Sequence, residues 1–260
     1  MHDIHIHTSH SACARPDSSL AEYLPVLPER GLSIAGFSNH LWDSAIPGPN
    51  EFYQTQDIEH LLPLKKDLAD ACVPGVKLLF GCELEYCGRG RISLHPDHAE
   101  LFDYILVAPD HFHMKDLVRP ASLDVGEELA ELFYSRFMEV CEIDFVDGIA
   151  HPFFPIGFDG RDRDVFALFS DRRLEACFRH ARACGKTVEL NLSSLNKLRK
   201  KDLLPEYRRV MTIAAECGSR FHLGSDAHGI HMLGAELFEL GRTFAAECGI
   251  VFPDDPFVEK

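Results

Sequence analysis

Apolar residues along this chain follow two alternating rhythms. Short dense runs of Val, Ile, Leu and Phe predict strands at 3–7, 33–38, 77–83, 103–108, 146–150, 186–191 and 220–225. Between them, apolar positions spaced three and four apart predict helices at 18–30, 57–71, 126–142, 171–184, 204–217 and 231–247. In the stretch GEELAELFYSRFMEVCE, Leu129, Leu132, Phe133, Phe137 and Val140 share one helical face. Pro205 near one helix start, and Gly185, Gly218 and Gly249 just past the ends of others, are fitting punctuation.

Strands that alternate with helices imply a parallel sheet, since each crossover helix must lie on a face of it. Seven such units in 260 residues predict an α/β fold, a distorted seven-stranded (β/α)7 TIM-like barrel. The competing open, doubly wound sheet lacks its phosphate turn, because no G-x-G-x-x-G follows an early strand. With no repeat or linker, one domain over 1–260 is expected. Segments 42–57 and 152–170, rich in Pro, Gly and aromatics, read as loops over the barrel mouth, and 253–260 as a surface tail.

Composition narrows the function classes. The net charge of −15 argues against a sequence-independent nucleic-acid binder, which needs Lys and Arg in excess. It leaves room for an anionic substrate, because bound cations invert the local field. Nine cysteines, an odd number without a C-x-x-C, read as reduced thiols in a cytoplasmic protein. The chain opens on a polar strand with no signal-peptide pattern, and no apolar run approaches the about 20 residues of a membrane span.

Fifteen histidines are many, and several fall at strand ends, the active face of a β/α barrel. His5 and His7 end the first strand and point the same way, because strand side chains alternate. His40 follows the second strand, Glu83 ends the third, His111 or His113 follows the fourth, and His151 follows the fifth. Glu189 and Asn191 lie in the sixth, and Asp226 and His228 follow the seventh. Any one of these is as readily a structural histidine or a helix cap; the set is a metal-ligand pattern. Imidazole mixed with carboxylate suits zinc, iron or manganese. Glu83 is the carboxylate placed to bridge two ions, and two or three adjacent ions are the usual machinery of phosphate-ester hydrolysis.

On these residues, from the first strand to residue 228, the chain resembles the PHP family, named for polymerase and histidinol phosphatase. The resemblance implies a distorted barrel with a trinuclear centre. It implies a first metal on His5, His7, Glu83 and Asp226, a second on Glu83, His111 and His151, and a third on His40, His228 and a residue in the loop after His7. Here the chain departs from the family, placing Ala12 and Cys13 where that last ligand is expected. His10 is the first choice to complete the site and Cys13 the second.

The expected reaction is hydrolysis of a small phosphate ester, with hydroxide between two metals attacking phosphorus. Asp226 is expected to orient it and His228 or His113 to protonate the leaving group. Histidinol-phosphate phosphatase is the leading specific reading. Arg89 and Arg161 are the candidates for a cationic grip on phosphate. The basic run NKLRKK at 196–201 reads as a solvated helix end. Trp42, Phe52 and Tyr53 read as a pocket wall or lid, and His2, His60, His95, His98, His180, His222 and His231 as surface or packing residues. No G-x-S-x-G surrounds Ser9, Ser11 or Cys13, which argues against a covalent nucleophile. Two other classes remain. One is an amidohydrolase-type C–N hydrolase, which commonly uses a bridging lysine; here Lys186 starts a strand rather than ending one. The other is a non-catalytic metal-binding or regulatory module.

Overall fold

The computed structural model describes residues 1–257. Seven parallel strands run in the order β1 (His2–Ile6), β2 (Ile34–Leu41), β3 (Lys77–Gly88), β5 (Tyr104–Ala108), β6 (Gly148–Ile149), β7 (Thr187–Asn191) and β8 (Arg220–Gly224), with β4 (Arg91–Ile92) an antiparallel addition to β3. Nine α-helices lie among the described residues: α1 (Leu20–Tyr23), α2 (Val26–Glu29), α3 (Ile58–Asp70), α4 (Glu127–Cys141), α5 (Asp162–Leu168), α6 (Asp171–Ala183), α7 (Leu192–Lys200), α8 (Leu204–Glu216) and α9 (Ala235–Cys248). The sheet is a TIM-like barrel, nearly closed, as its strand pattern predicts. Among the described residues no helix is long and apolar enough to cross a membrane.

The barrel closes between its first and last strands, partly through side chains. Asp226 N donates to the His5 carbonyl at 2.7 Å and His7 N to the Ala227 carbonyl at 2.9 Å. Below them, His2 Nε2 accepts from Leu223 N and Asp3 Oδ1 from Ser225 N, each at 2.9 Å. The His2 and Asp3 side chains thus satisfy β8-side amides that a ladder carbonyl would otherwise accept. The barrel interior below the mouth is filled by Tyr104, whose hydroxyl donates to the Ile4 carbonyl at 2.7 Å. Gly81 makes this possible, because a Cβ there would collide with the Tyr104 ring. The stacked Phe257 ring caps Tyr104 at 5.1 Å.

Three expectations about elements change. The helix expected over 18–30 is two single turns, because Pro25 and Pro28 lack the N–H that a continuous helix needs. The loop expected over 152–170 contains α5, which buries Val165 and Phe166. A helix the apolar spacing did not predict, α7, starts with no intervening loop, Asn191, the last residue of β7, capping it by accepting from Ser194 N at 2.8 Å, and the basic run at 196–201 is its solvated end, as expected. All nine cysteines are free.

Candidate metal centre

Strand register brings the site together at the C-terminal mouth. His40 on β2 pairs directly with Glu83 on β3, and Leu106 on β5 flanks Glu83 on the other side. Three groups of side chains present ligand atoms within 4.8 Å of one another: His5, His7 and Glu83; Glu83, His111 and His151; and His7, His40 and His228. Asp226 Oδ1 adds to the first group, 3.3 Å from His7 Nε2 and 3.9 Å from His5 Nε2. Glu83 joins the groups: its Oε2 lies 3.0 Å from His40 Nδ1 and 3.3 Å from His5 Nε2, and its Oε1 lies 3.0 Å from His151 Nε2. His151 and Asp226 hold left-handed backbone angles, φ 29° and 54°, a strained state for residues with a Cβ.

Behind the imidazoles stands a ring of acceptors. His5 Nδ1 meets Glu189 Oε1 at 2.7 Å, His111 Nδ1 meets Glu85 Oε1 at 2.5 Å, His151 Nδ1 lies 3.5 Å from Asp110 Oδ1, and His7 Nδ1 meets Ser11 Oγ at 3.1 Å. Ser11 Oγ donates its own hydrogen to Asn39 Oδ1, so it accepts from His7. An outer nitrogen that donates leaves the inner nitrogen of a neutral imidazole as a bare lone pair. Inner lone pairs then face each other at 3.1 Å between His5 and His7, and the inner lone pair of His111 faces His151 Nε2 at 3.2 Å, with Glu83 beside both pairs. Only positive charge between them makes that stable. The donor set therefore fits divalent cations. The Glu189–His5 pair needs Gly224, where a Cβ would collide with the Glu189 carboxylate.

Titration tells the same story. Burial opposes charge on His5 and His40, but nearby carboxylates outweigh it: Glu189 and Glu83 at His5, and Glu83 at His40, hold both imidazoles well above their ordinary value. Burial likewise opposes charge on His151, yet Asp110 and Glu83 push it up to about 10. Against burial, His5 and His40 hold Glu83 well below the usual carboxylate range, and His7 does the same for Asp226. Positive charge is thus favoured on His5, His40 and His151, whereas burial and the neighbouring His228 hold His7 well below its ordinary value.

Of the nine ligands expected from the sequence, the structure gathers eight. His10 stays outside: its Nδ1 pairs with Thr8 Oγ1 at 3.2 Å and its ring meets His60 edge-on at 5.4 Å. The loop instead brings Cys13, an exposed residue, to the wall of the pocket that His40 and His228 also line. Burial opposes the thiolate, but those two histidines bring Cys13 down to about 6. His113 belongs to no group, yet it lines the pocket over the centre.

That pocket, about 520 Å³, is also lined by Cys13, Asn50, Phe52, Met114, Lys115, Ile156 and Lys197 above His40, Glu83, His111, Asp226 and His228. The arginines expected to grip phosphate lie elsewhere. Arg89 borders a separate hollow beside α4, and Arg161 pairs with Asp164 at 2.5 Å. Neither arginine lines the pocket over the centre, whose cations are Lys115 and Lys197. Phe52 lines the pocket, whereas Trp42 and Tyr53 are buried behind it, Tyr53 donating to Glu85 at 2.5 Å. His2 and His222, expected at the surface or in packing, are fully buried. Sequence reading missed Glu85 and Asp110 as partners of the histidines; Glu85 was signalled by its i+2 spacing from Glu83 on one strand face. A further group, Glu142, His180 and Cys184, lies at the C-terminal ends of α4 and α6, with Glu142 exposed.

No protein-family model matches the chain, and no curated protein matches it in sequence. Solved structures do match. A histidinol phosphate phosphatase from Lactococcus lactis subsp. lactis Il1403, complexed with zinc, L-histidinol and phosphate, superposes with a TM-score of 0.68 at 14% identity, covering 96% of this chain and 94% of that one. An amidohydrolase superposes with a TM-score of 0.47 at 12% identity, covering 94% of this chain and 69% of that one. At such identities the first likeness establishes the barrel fold alone.

Proposed function

We propose that the chain is a PHP-type metal-dependent phosphoesterase, one barrel domain over 1–260, acting on a small phosphate ester. The observation that carries the reading is Glu83, one buried carboxylate within 3.0–3.3 Å of His5, His40 and His151, which ties three adjacent ligand groups into one centre. His5, His7, Glu83 and Asp226 would hold one ion, Glu83, His111 and His151 a second, and His40, His228 and Cys13 a third, with His7 adjoining. Zinc, iron or manganese bound there would supply Lewis acidity to the phosphoryl oxygens and make water acidic enough to attack near neutral pH. Around that chemistry Asp226 orients the attacking water. His228 is committed to the third group; His113, at the pocket wall and outside every group, is brought down to about 4 by burial, so near pH 7 it stands neutral and would relay a proton, taking one at one ring nitrogen as it passes the other to the leaving oxygen. The superposition on a phosphatase that binds histidinol and phosphate supports the ester reading.

The amidohydrolase-type alternative loses its bridging group. Among the described residues no lysine enters the centre; Lys186 Nζ instead donates to the Ile143 and Val146 carbonyls at 2.7 and 2.8 Å. A non-catalytic metal module would have no need of the pocket over the centre. Nine free thiols fit a reducing compartment, and we place the protein in the cytoplasm.

The test pairs elemental analysis with hydrolysis of a phosphate-ester panel that includes histidinol phosphate, after reconstitution with iron, manganese or zinc. Two or three metals per chain with ester turnover is the expected result. Glu83→Ala and Asp226→Ala should lose metal and at least about a hundredfold in activity together, since even outer partners of metal ligands cost 10–100-fold. Full activity in either variant contradicts the assignment. Metal-poor, inactive protein after reconstitution favours the non-catalytic module.

A further inference from the structure

The pocket above the centre is asymmetric in charge. Its acidic lining residues among the described residues are Glu83 and Asp226, both on the floor and both committed to the ligand groups. Its cations, Lys115 and Lys197, are exposed. Neither ammonium forms an ion pair with a carboxylate among the described residues, whereas Lys77 and Lys201 do. Lys197 Nζ lies 5.7 Å from the Phe154 ring centroid. Such unpaired cations matter in a chain of net charge −15, where carboxylate partners are plentiful. Lys197 also borders an adjoining hollow with Arg199 and Lys200, which extends the positive surface; Glu236 is the one acid on that side. Phe52, Met114 and Ile156 give the pocket an apolar wall.

We propose that the pocket selects phosphate esters whose leaving group pairs an apolar body with a second negative charge, held by Lys115 and Lys197, and discriminates against esters with a cationic leaving group such as histidinol phosphate. The inference rests on the phosphoesterase reading. A substrate ammonium finds no uncommitted carboxylate in the pocket and would face two ammonium groups, and unlike-charge complementarity governs such selection. In the reaction, water oxygen bonds to phosphorus, the ester P–O bond breaks, and the alcohol leaves with a proton originating from that water.

Three esters of one shape isolate the distal charge: 4-carboxyphenyl phosphate, phenyl phosphate and 4-(aminomethyl)phenyl phosphate. The last has a better leaving group than the carboxylate ester, so reactivity alone would favour it. The expected ranking in kcat/KM is carboxylate, neutral, then ammonium, with about tenfold or more between the extremes, the equivalent of about 1.4 kcal/mol. In the Lys115→Met/Lys197→Met variant that ratio should collapse, chiefly through KM. Preference for the ammonium ester or histidinol phosphate overturns the inference, as does a ratio that survives in the variant. Equal handling of all three esters also overturns it, leaving the lysines as a grip on the reacting phosphate. Calorimetric titration of the same esters separates the two readings. Ranked binding without turnover overturns the phosphoesterase reading and keeps the charge preference; turnover without ranking does the reverse; neither overturns both.

Discussion

His5, His7 and His111 are each held by the outer nitrogen so that the inner nitrogen faces inward, and that arrangement is what makes the cluster more than a collection of buried rings. The Cys13 position tests how the third group is completed. Cobalt(II)-loaded protein should show a near-ultraviolet thiolate-to-metal charge-transfer band that vanishes in Cys13→Ser, since a coordinating thiol is deprotonated outright. An unchanged spectrum in the variant would remove Cys13 from the set. Sequence alone placed His5, His7, His40, Glu83 and Asp226 at strand ends because strand alternation and barrel polarity are sequence-readable. It ranked His10 over Cys13 because distance along a loop says little about direction. The turn here is set by Ser11, whose hydroxyl bonds both to Asn39 on β2 and to His7, and such long-range contacts leave no local signature. Arg89 and Arg161 failed to reach the pocket for the same reason: both ride loops whose course depends on distant packing.

The elements themselves were legible where periodicity was long. The seven strands and the helices α3, α4, α6 and α8 fall where apolar spacing puts them. What escaped was short or ambiguous: α5 in a stretch rich in charge and Gly, and α7, whose capping Asn191 looks in sequence like another strand-end ligand. The β1–β8 seam carries a pH prediction. Burial and the N-terminal ammonium bring His2 down to about 4, and burial brings His222, on β8, down to about 3, from an ordinary 6.5. Below pH 6.5 the unfolded chain takes up a proton at each of these positions while the fold does not. Their stabilisation is therefore complete above pH 6.5 and is lost as pH falls toward the folded values, by about 1.4 kcal/mol per pH unit for each proton. Protonated His2 could no longer accept from Leu223 N at the seam. In metal-free protein, urea midpoints of His222→Gln should fall less steeply between pH 6.5 and 4 than those of the parent. Identical slopes would show that His222 stays out of the acid transition.

For the molecule as a whole, three of the four candidate ligand groups among the described residues lie together at one mouth of the barrel. Cations that bind the folded centre and not the unfolded chain stabilise it by mass action, about 2.7 kcal/mol at a hundred times Kd. Chelation should therefore lower the thermal midpoint by about 5–10 °C, given about 2–4 °C per kcal/mol for a large domain. In Glu83→Ala that chelator effect should shrink toward zero; an equal shift in both proteins would place the stabilising ion elsewhere. The central claim is that Glu83, with His5, His7, His40, His111, His151 and Asp226, would hold adjacent cations in one centre. The direct measurement is anomalous scattering from crystals of protein reconstituted with zinc. The account predicts two or three peaks a few ångström apart, flanking the Glu83 carboxylate. A barrel mouth without peaks, or density confined to Glu142, His180 and Cys184, would contradict it.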